Sequence, residues 1–193
     1  MKNLFVVVFA FLIISLTGCE KQNPNQGEVL KKTGTELAVE YRQSLMGVLV
    51  SELQKNGPAG AVNVCADTAQ SFTKAFGEKY GVEIKRSSYK FRNSENTPDE
   101  NDLEALDFFS NLFLTGKLNP DTVFVKDLPG KEFNRYTAIP VMLRNECIVC
   151  HGEPADIDPK VRNILSKRYP DDLATGFKAG DFRGIISVKE SIK

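Results

Sequence analysis

Between Thr35 and Lys55 the apolar residues Leu37, Tyr41, Leu45, Val48, Leu49 and Leu53 recur at helical spacing, which predicts an amphipathic helix. Asn56-Gly57-Pro58 stops it. A second stripe, Ala61, Val64, Cys65, Thr68, Ala69, Phe72 and Phe76, predicts another helix from about Pro58 to Tyr80 and puts Cys65 on its buried face. Val82 to Phe91 reads as a strand on which Arg86 shares a face with Val82 and Ile84, so that its guanidinium points inward. Asp99 to Leu114, carrying Leu103, Leu106, Phe109 and Phe113, predicts a third helix. Strand-like segments follow around Thr122 to Val125 and from Tyr136 to Leu143. A short helix starts at Asp158-Pro159 and runs to about Lys167, and Gly184 to Val188 makes a final strand. Helices first, then strands mixed with short helices, predict an α+β domain with long N-terminal helices and an antiparallel sheet. No internal repeat is visible.

The first residues follow a different pattern. Behind the basic start Met1-Lys2-Asn3, Leu4 to Leu16 is an apolar run too short for a comfortable membrane span, as in a secretory signal. It closes in Leu16-Thr17-Gly18-Cys19, which resembles the bacterial lipobox, whose cysteine is lipidated and becomes the mature N-terminus. The chain is therefore expected to divide into a signal peptide (1–18), a lipid-anchored tether (19–34) containing the turn-rich Asn23-Pro24-Asn25-Gln26-Gly27, and one domain (35–193). Two or more acyl chains hold a protein stably on a bilayer, so the membrane is an expected partner through Cys19. Glu20 rather than Asp follows Cys19, which favours a periplasmic location at the outer membrane if the source is Gram-negative. With 25 basic and 25 acidic residues the net charge is zero, leaving no electrostatic footprint for nucleic acid and no polybasic membrane patch.

The chemistry lies in Cys147-Ile148-Val149-Cys150-His151, which contains the chain's one histidine. Two thiols three positions apart, with an imidazole beside the second, form the covalent haem attachment signature: each thiol adds across a vinyl group and the imidazole ligates iron. A structural disulfide or thioredoxin-like pair would leave His151 without a role, and the redox pair normally opens a helix early in a βαβ unit. A zinc site would need two more ligands at motif spacing, and the other cysteines, Cys19 and Cys65, stand isolated. One covalent haem c per chain is expected. Its iron needs a sixth ligand that cannot be a second histidine. Met46, Met142, a lysine, water, an open position and the unmatched Cys65 all remain, and Cys65 is equally readable as a buried core thiol.

Several segments resemble a c-type haem family of PAS-like bacterial domains, long catalogued as a domain of unknown function. They are Val64-Cys65-Ala66-Asp67, the run Lys85 to Asn93, Asn96-Thr97-Pro98-Asp99, Cys147 to Gly152, and the tail from Tyr169-Pro170-Asp171-Asp172 to Gly180-Asp181-Phe182-Arg183-Gly184. Ser94 stands where a proline is expected after Asn93. The resemblance implies a PAS-like sheet flanked by helices, with His151 as proximal and Cys65 as distal iron ligand. Propionate groups inside a protein need cationic partners, and Arg86, Lys90 and Arg92 are the candidates, with Arg144 behind them and Tyr89 and Phe91 beside the macrocycle. A thiolate opposite imidazole favours ferric iron, and its release on reduction would open a site for a diatomic gas such as carbon monoxide or nitric oxide. A redox or gas sensing module is the leading expectation, with a small periplasmic electron-transfer cytochrome as the alternative and the redox or signalling partner unnamed. No enzymatic activity is expected, because no second titratable residue near the motif demands a catalytic role and no other histidine exists to serve as a peroxidase-like distal one.

Overall fold

The computed structural model describes residues 32–129 and 132–192. The signal peptide, the lipobox with Cys19 and nearly all of the tether lie outside the described residues. Among the described residues no helix is long and apolar enough to cross a membrane.

The chain opens with α1 (Gly34–Tyr80), capped by Thr33 and Glu36 in a reciprocal box. Gly57 interrupts it at φ 66°, a left-handed conformation that favours glycine, and Pro58 follows. The break is a reversal. A straight helix rising 1.5 Å per residue would set Tyr41 and Phe76 about 50 Å apart, yet their ring centroids are 5.4 Å apart, and the Tyr41 and Thr73 hydroxyls meet at 2.6 Å. The two arms form an antiparallel hairpin, in agreement with the two helices that the apolar stripes predict.

Strands β1 (Glu83–Ser87), β2 (Phe124–Asp127), β3 (Arg135–Met142) and β4 (Phe182–Glu190) form one antiparallel sheet in the order β1-β4-β3-β2. Period-two alternation divides its side chains between two helical layers. Ile84, Ile139, Ile186 and Val188 pack against Leu37, Ala38, Tyr41 and Phe76 of the hairpin. On the opposite face Tyr136, Ala138 and Ile185 pack against Ala105, Leu106 and Phe109 of α2 (Glu100–Leu114). Each buried Val, Leu, Ile or Phe side chain among them contributes about 1.5–3 kcal/mol. The α+β class, the flanked antiparallel sheet and the long N-terminal helices are thus as expected.

One strand is shorter than its pattern. The run Val82 to Phe91 pairs in the sheet only over Glu83–Ser87. Beyond Ser87 the backbone finds other partners: the Phe91 carbonyl accepts from Leu173 N–H at 3.0 Å. Two short helices complete the fold, α3 (Ile148–His151) and α4 (Pro159–Arg168), the latter capped by Asp158 with proline in its first turn. Val161 and Leu165 of α4 pack on Val62 of the hairpin.

The α2 face of the sheet is tied by one buried carboxylate. Asp102 accepts from Lys85 Nζ at 2.8 Å, Ser87 Oγ at 2.7 Å, Tyr136 Oη at 2.8 Å and Ser187 Oγ at 3.1 Å, joining β1, β3 and β4 to α2. Burial pushes its pKa up, but the bonds from Lys85, Ser87 and Tyr136 outweigh this and hold it below the ordinary value. A depressed folded-state pKa means that this contribution is present above the unfolded value, near 3.9, and is lost as pH falls through the folded one. Asp102→Ala should cost about 3–5 kcal/mol by stranding Lys85 and three hydroxyl donors. Urea unfolding at neutral pH measures it, and an unchanged midpoint would remove Asp102 from this role.

Candidate functional site

The two arms of the α1 hairpin, the loop after β1, the C-terminal end of β3, α3, α4 and the start of β4 enclose a cavity of about 720 Å³. That lies within the range of cofactor pockets, roughly 300–1,000 Å³. On the second hairpin arm Ala61, Cys65 and Ala69 stand one helical turn apart, and all three line the space. The small side chains leave room where bulkier ones would fill it.

A turn at Asn145–Cys147 leads into α3. Its helical spacing brings Cys147, Cys150 and His151, at i, i+3 and i+4, to one side. All three line the same cavity as Cys65. Cys65, Cys147 and Cys150 are free thiols, and Cys147 Sγ accepts from Arg144 N–H at 3.4 Å. Burial pushes the Cys65 and Cys150 thiols up, and neighbouring Cys65 is among the groups that raise Cys150. Among the described residues no three His, Cys, Asp or Glu side chains converge as a bare metal-ion site.

His151 is fixed from behind. Its Nδ1 lies 2.7 Å from the Ala174 carbonyl, so Nδ1 carries the proton and Nε2 keeps its lone pair. Burial, helped by the charges of Arg92 and Arg183, holds its pKa well below the ordinary imidazole range, so the ring is neutral near pH 7. The His151 carbonyl accepts from Phe177 N–H at 3.0 Å and that of Gly152 accepts from Gly176 N–H at 2.8 Å, locking the motif to the following loop. A neutral imidazole with a free Nε2 beside two free thiols is the donor set that a covalently attached haem uses.

Among the described residues five arginines and one carboxylate, Glu146, line the cavity, so its field favours an anionic guest. Arg144 is committed to Glu146 at 2.7 Å and Arg92 to Asp172 at 2.9 Å. Arg86 donates from Nη2 to Gln70 Oε1 at 2.9 Å, while its Nε is buried without a partner. Arg183 donates to Ser88 Oγ at 2.6 Å, and burial, followed by the nearby Arg92, lowers its pKa to about 10. Among the described residues Arg42, which donates to the Pro140 carbonyl at 3.4 Å, Arg86 and Arg183 have no carboxylate partner and are placed to receive carboxylates of a guest, Arg86 through its unpaired Nε as well. Lys90 is elsewhere: its Nζ binds the Thr175 carbonyl, lies 4.5 Å from the Phe177 ring centroid and does not line the cavity. Phe91 lines the space, whereas Tyr89 is exposed and bonds Asp107. Met46 and Met142 also line it.

Sequence patterning gives no role to Arg183. In strict alternation it would share the α2 face with Ile185, but β3 and β4 change register between Val141 and Met142, which pair with Gly184 and Phe182. Arg183 is the extra residue of this bulge, which re-aims side chains. Phe182 consequently packs toward Phe109 and Phe113, and Arg183 reaches the cavity. Gly184 is required there: at φ 153° it brings its backbone so near β1 that an added Cβ would lie 2.3 Å from the Ser87 carbonyl oxygen.

Residues 20–191 match the model of a family described as Tll0287-like. A structural match is the crystal structure of the cyanobacterial heme-protein Tll0287, with a TM-score of 0.63 and 21% identity over 84% of this chain and 99% of that one. No curated protein matches.

Proposed function

We propose that this chain, which belongs to the Tll0287-like family, binds one haem c, attached through Cys147 and Cys150 and ligated by His151 and Cys65, and acts as a redox or diatomic-gas sensing module. The observation that carries the reading is the convergence of Cys65, Cys147, Cys150 and His151 on one arginine-rich cavity from elements far apart in sequence. The haem-protein of similar fold supports it.

A bound haem supplies an iron that gains and loses one electron. The chain's own residues hold the group and tune it. His151 presents Nε2 while Ala174 holds Nδ1. Arg86 and Arg183 receive the propionates, and Arg86 Nε thereby gains the partner it otherwise lacks. Cys65 would hold the iron as thiolate and so favour its ferric state, and as a neutral thiol, protonated from solvent, it would bind ferrous iron weakly and leave room in the cavity for a small diatomic ligand. Burial that raises the Cys65 thiol pKa favours the protonated form. Export and lipidation at Cys19 would place the module on the periplasmic side of a membrane, the outer one if the source is Gram-negative, where it would signal to a partner protein rather than catalyse a reaction.

One observation favours the electron carrier instead. Val149, inside the attachment motif and lining the cavity, is 40% exposed, so part of the motif is open to a docking redox protein. Absorption and electron-paramagnetic-resonance spectra during a potentiometric titration decide between them. A low-spin ferric spectrum of thiolate type that gives way to a different ligand set on reduction is expected for the sensor. An identical ligand set in both states would select the carrier, and a protein that takes up no haem would end both readings.

A further inference from the structure

The Ala174 carbonyl serves two donors. His151 Nδ1 lies 2.7 Å from it and Arg92 Nη2 3.3 Å. The same Arg92 nitrogen donates to the Cys150 carbonyl at 2.6 Å, and Arg92 Nε donates to Asp172 Oδ2 at 2.9 Å. The other Asp172 oxygen accepts from Ala174 N–H at 2.8 Å, closing the circuit. Both side chains are largely buried, at 14% and 11% exposure. A rigid guanidinium fork can hold a carboxylate and two carbonyls together, which a lysine ammonium on a flexible stem does poorly.

We propose that Arg92 is a positioning residue that sets the donor strength of His151 toward haem iron by sharing the Ala174 carbonyl. This deepens the proposed haem function and rests on His151 being an iron ligand. An acceptor at Nδ1–H makes an imidazole a stronger donor to its metal. Arg92 draws on the same carbonyl oxygen and weakens that acceptor, and its positive charge opposes the ferric state by the same sign. Arg92 thus favours the reduced form on two counts, while Asp172, which compensates its charge, acts against it. Its role is then distinct from a propionate contact.

The test uses mature, haem-loaded protein, with covalent haem content measured first. Arg92→Gln should shift the ferric/ferrous equilibrium about tenfold toward ferric, equivalent to a fall of about 59 mV for one electron, and should raise the iron–histidine stretching frequency in ferrous resonance Raman spectra. Arg92→Lys, which keeps the charge but not the fork, should recover only part of the shift. Asp172→Asn should move the potential the opposite way, upward. An unchanged potential and Raman band in covalently loaded Arg92→Gln would overturn the proposal. So would Asp172→Asn and Arg92→Gln shifting together, the pattern of simple loosening. If Arg92→Gln does not fold, Arg92→Lys and Asp172→Asn still carry both comparisons. Wild type without covalent haem would overturn the haem reading itself, and this inference with it.

Discussion

Cys147→Ala, Cys150→Ala protein, expressed with the periplasmic maturation machinery, should lose all haem that resists acid-acetone extraction, where wild type should keep one per chain. The loss should be complete because the proposed attachment is covalent: no other pair of cysteines has the spacing, and both thiols are free and line the cavity. Without thioether bonds a haem would be held by iron ligands and apolar contact, and acid protonates the imidazole that forms one of those ligands. Wild-type haem that extracts freely after proper maturation would refute the attachment. Mass spectrometry of the same preparation tests the anchor, since acyl chains should be found on Cys19, and an unmodified or missing Cys19 would refute lipidation.

Cys65→Ala should leave the covalent haem in place and change its electronic state. Removing the thiolate should turn a low-spin ferric spectrum into a high-spin or water-ligated one. It should also raise the reduction potential, because the anionic donor that favours ferric iron is gone. The ferrous variant should bind carbon monoxide faster than wild type, since no thiol has to move aside. Met46 and Met142 line the same cavity, and they make the experiment decisive. An unchanged ferric spectrum would assign the sixth position to one of them, to a lysine or to water, and return Cys65 to the hydrophobic face of its helix as a packed thiol.

Periodicity made most of the fold legible. The apolar stripes of both hairpin arms, the stop at Asn56-Gly57-Pro58 and the signals around Asp99 and Asp158 all reflect local rules of helix burial and capping, and α1, α2 and α4 obey them. The end of β1 was not legible, because Phe91 leaves the sheet for a long-range partner, the Leu173 N–H. At the site, the grouping of Cys147, Cys150 and His151 and the inward direction of Arg86 were readable, one from spacing and the other from strand alternation. Lys90 and Arg183 were not, for a shared reason. Lys90 lies past the point where the strand ends, and Arg183 sits in a bulge, so alternation gives the wrong side for both. The carbonyl of Ala174 carries no sequence signal, since any residue there offers the same oxygen.

Cys65 and His151 face one cavity from positions more than eighty residues apart. In the proposed ligand set a haem fastened at Cys147 and Cys150 and bonded to the Cys65 sulfur ties the hairpin to the C-terminal part of the chain, as a disulfide would. A cross-link over so long a loop removes several kcal/mol of chain entropy from the unfolded ensemble, about 3–5 for disulfides closing loops of this order. In the sensor reading this link would be made when the iron is ferric and released when it is ferrous. The oxidised protein would then be mechanically a closed ring and the reduced protein an open chain, so that the arrival of a single electron changes how firmly the hairpin is held.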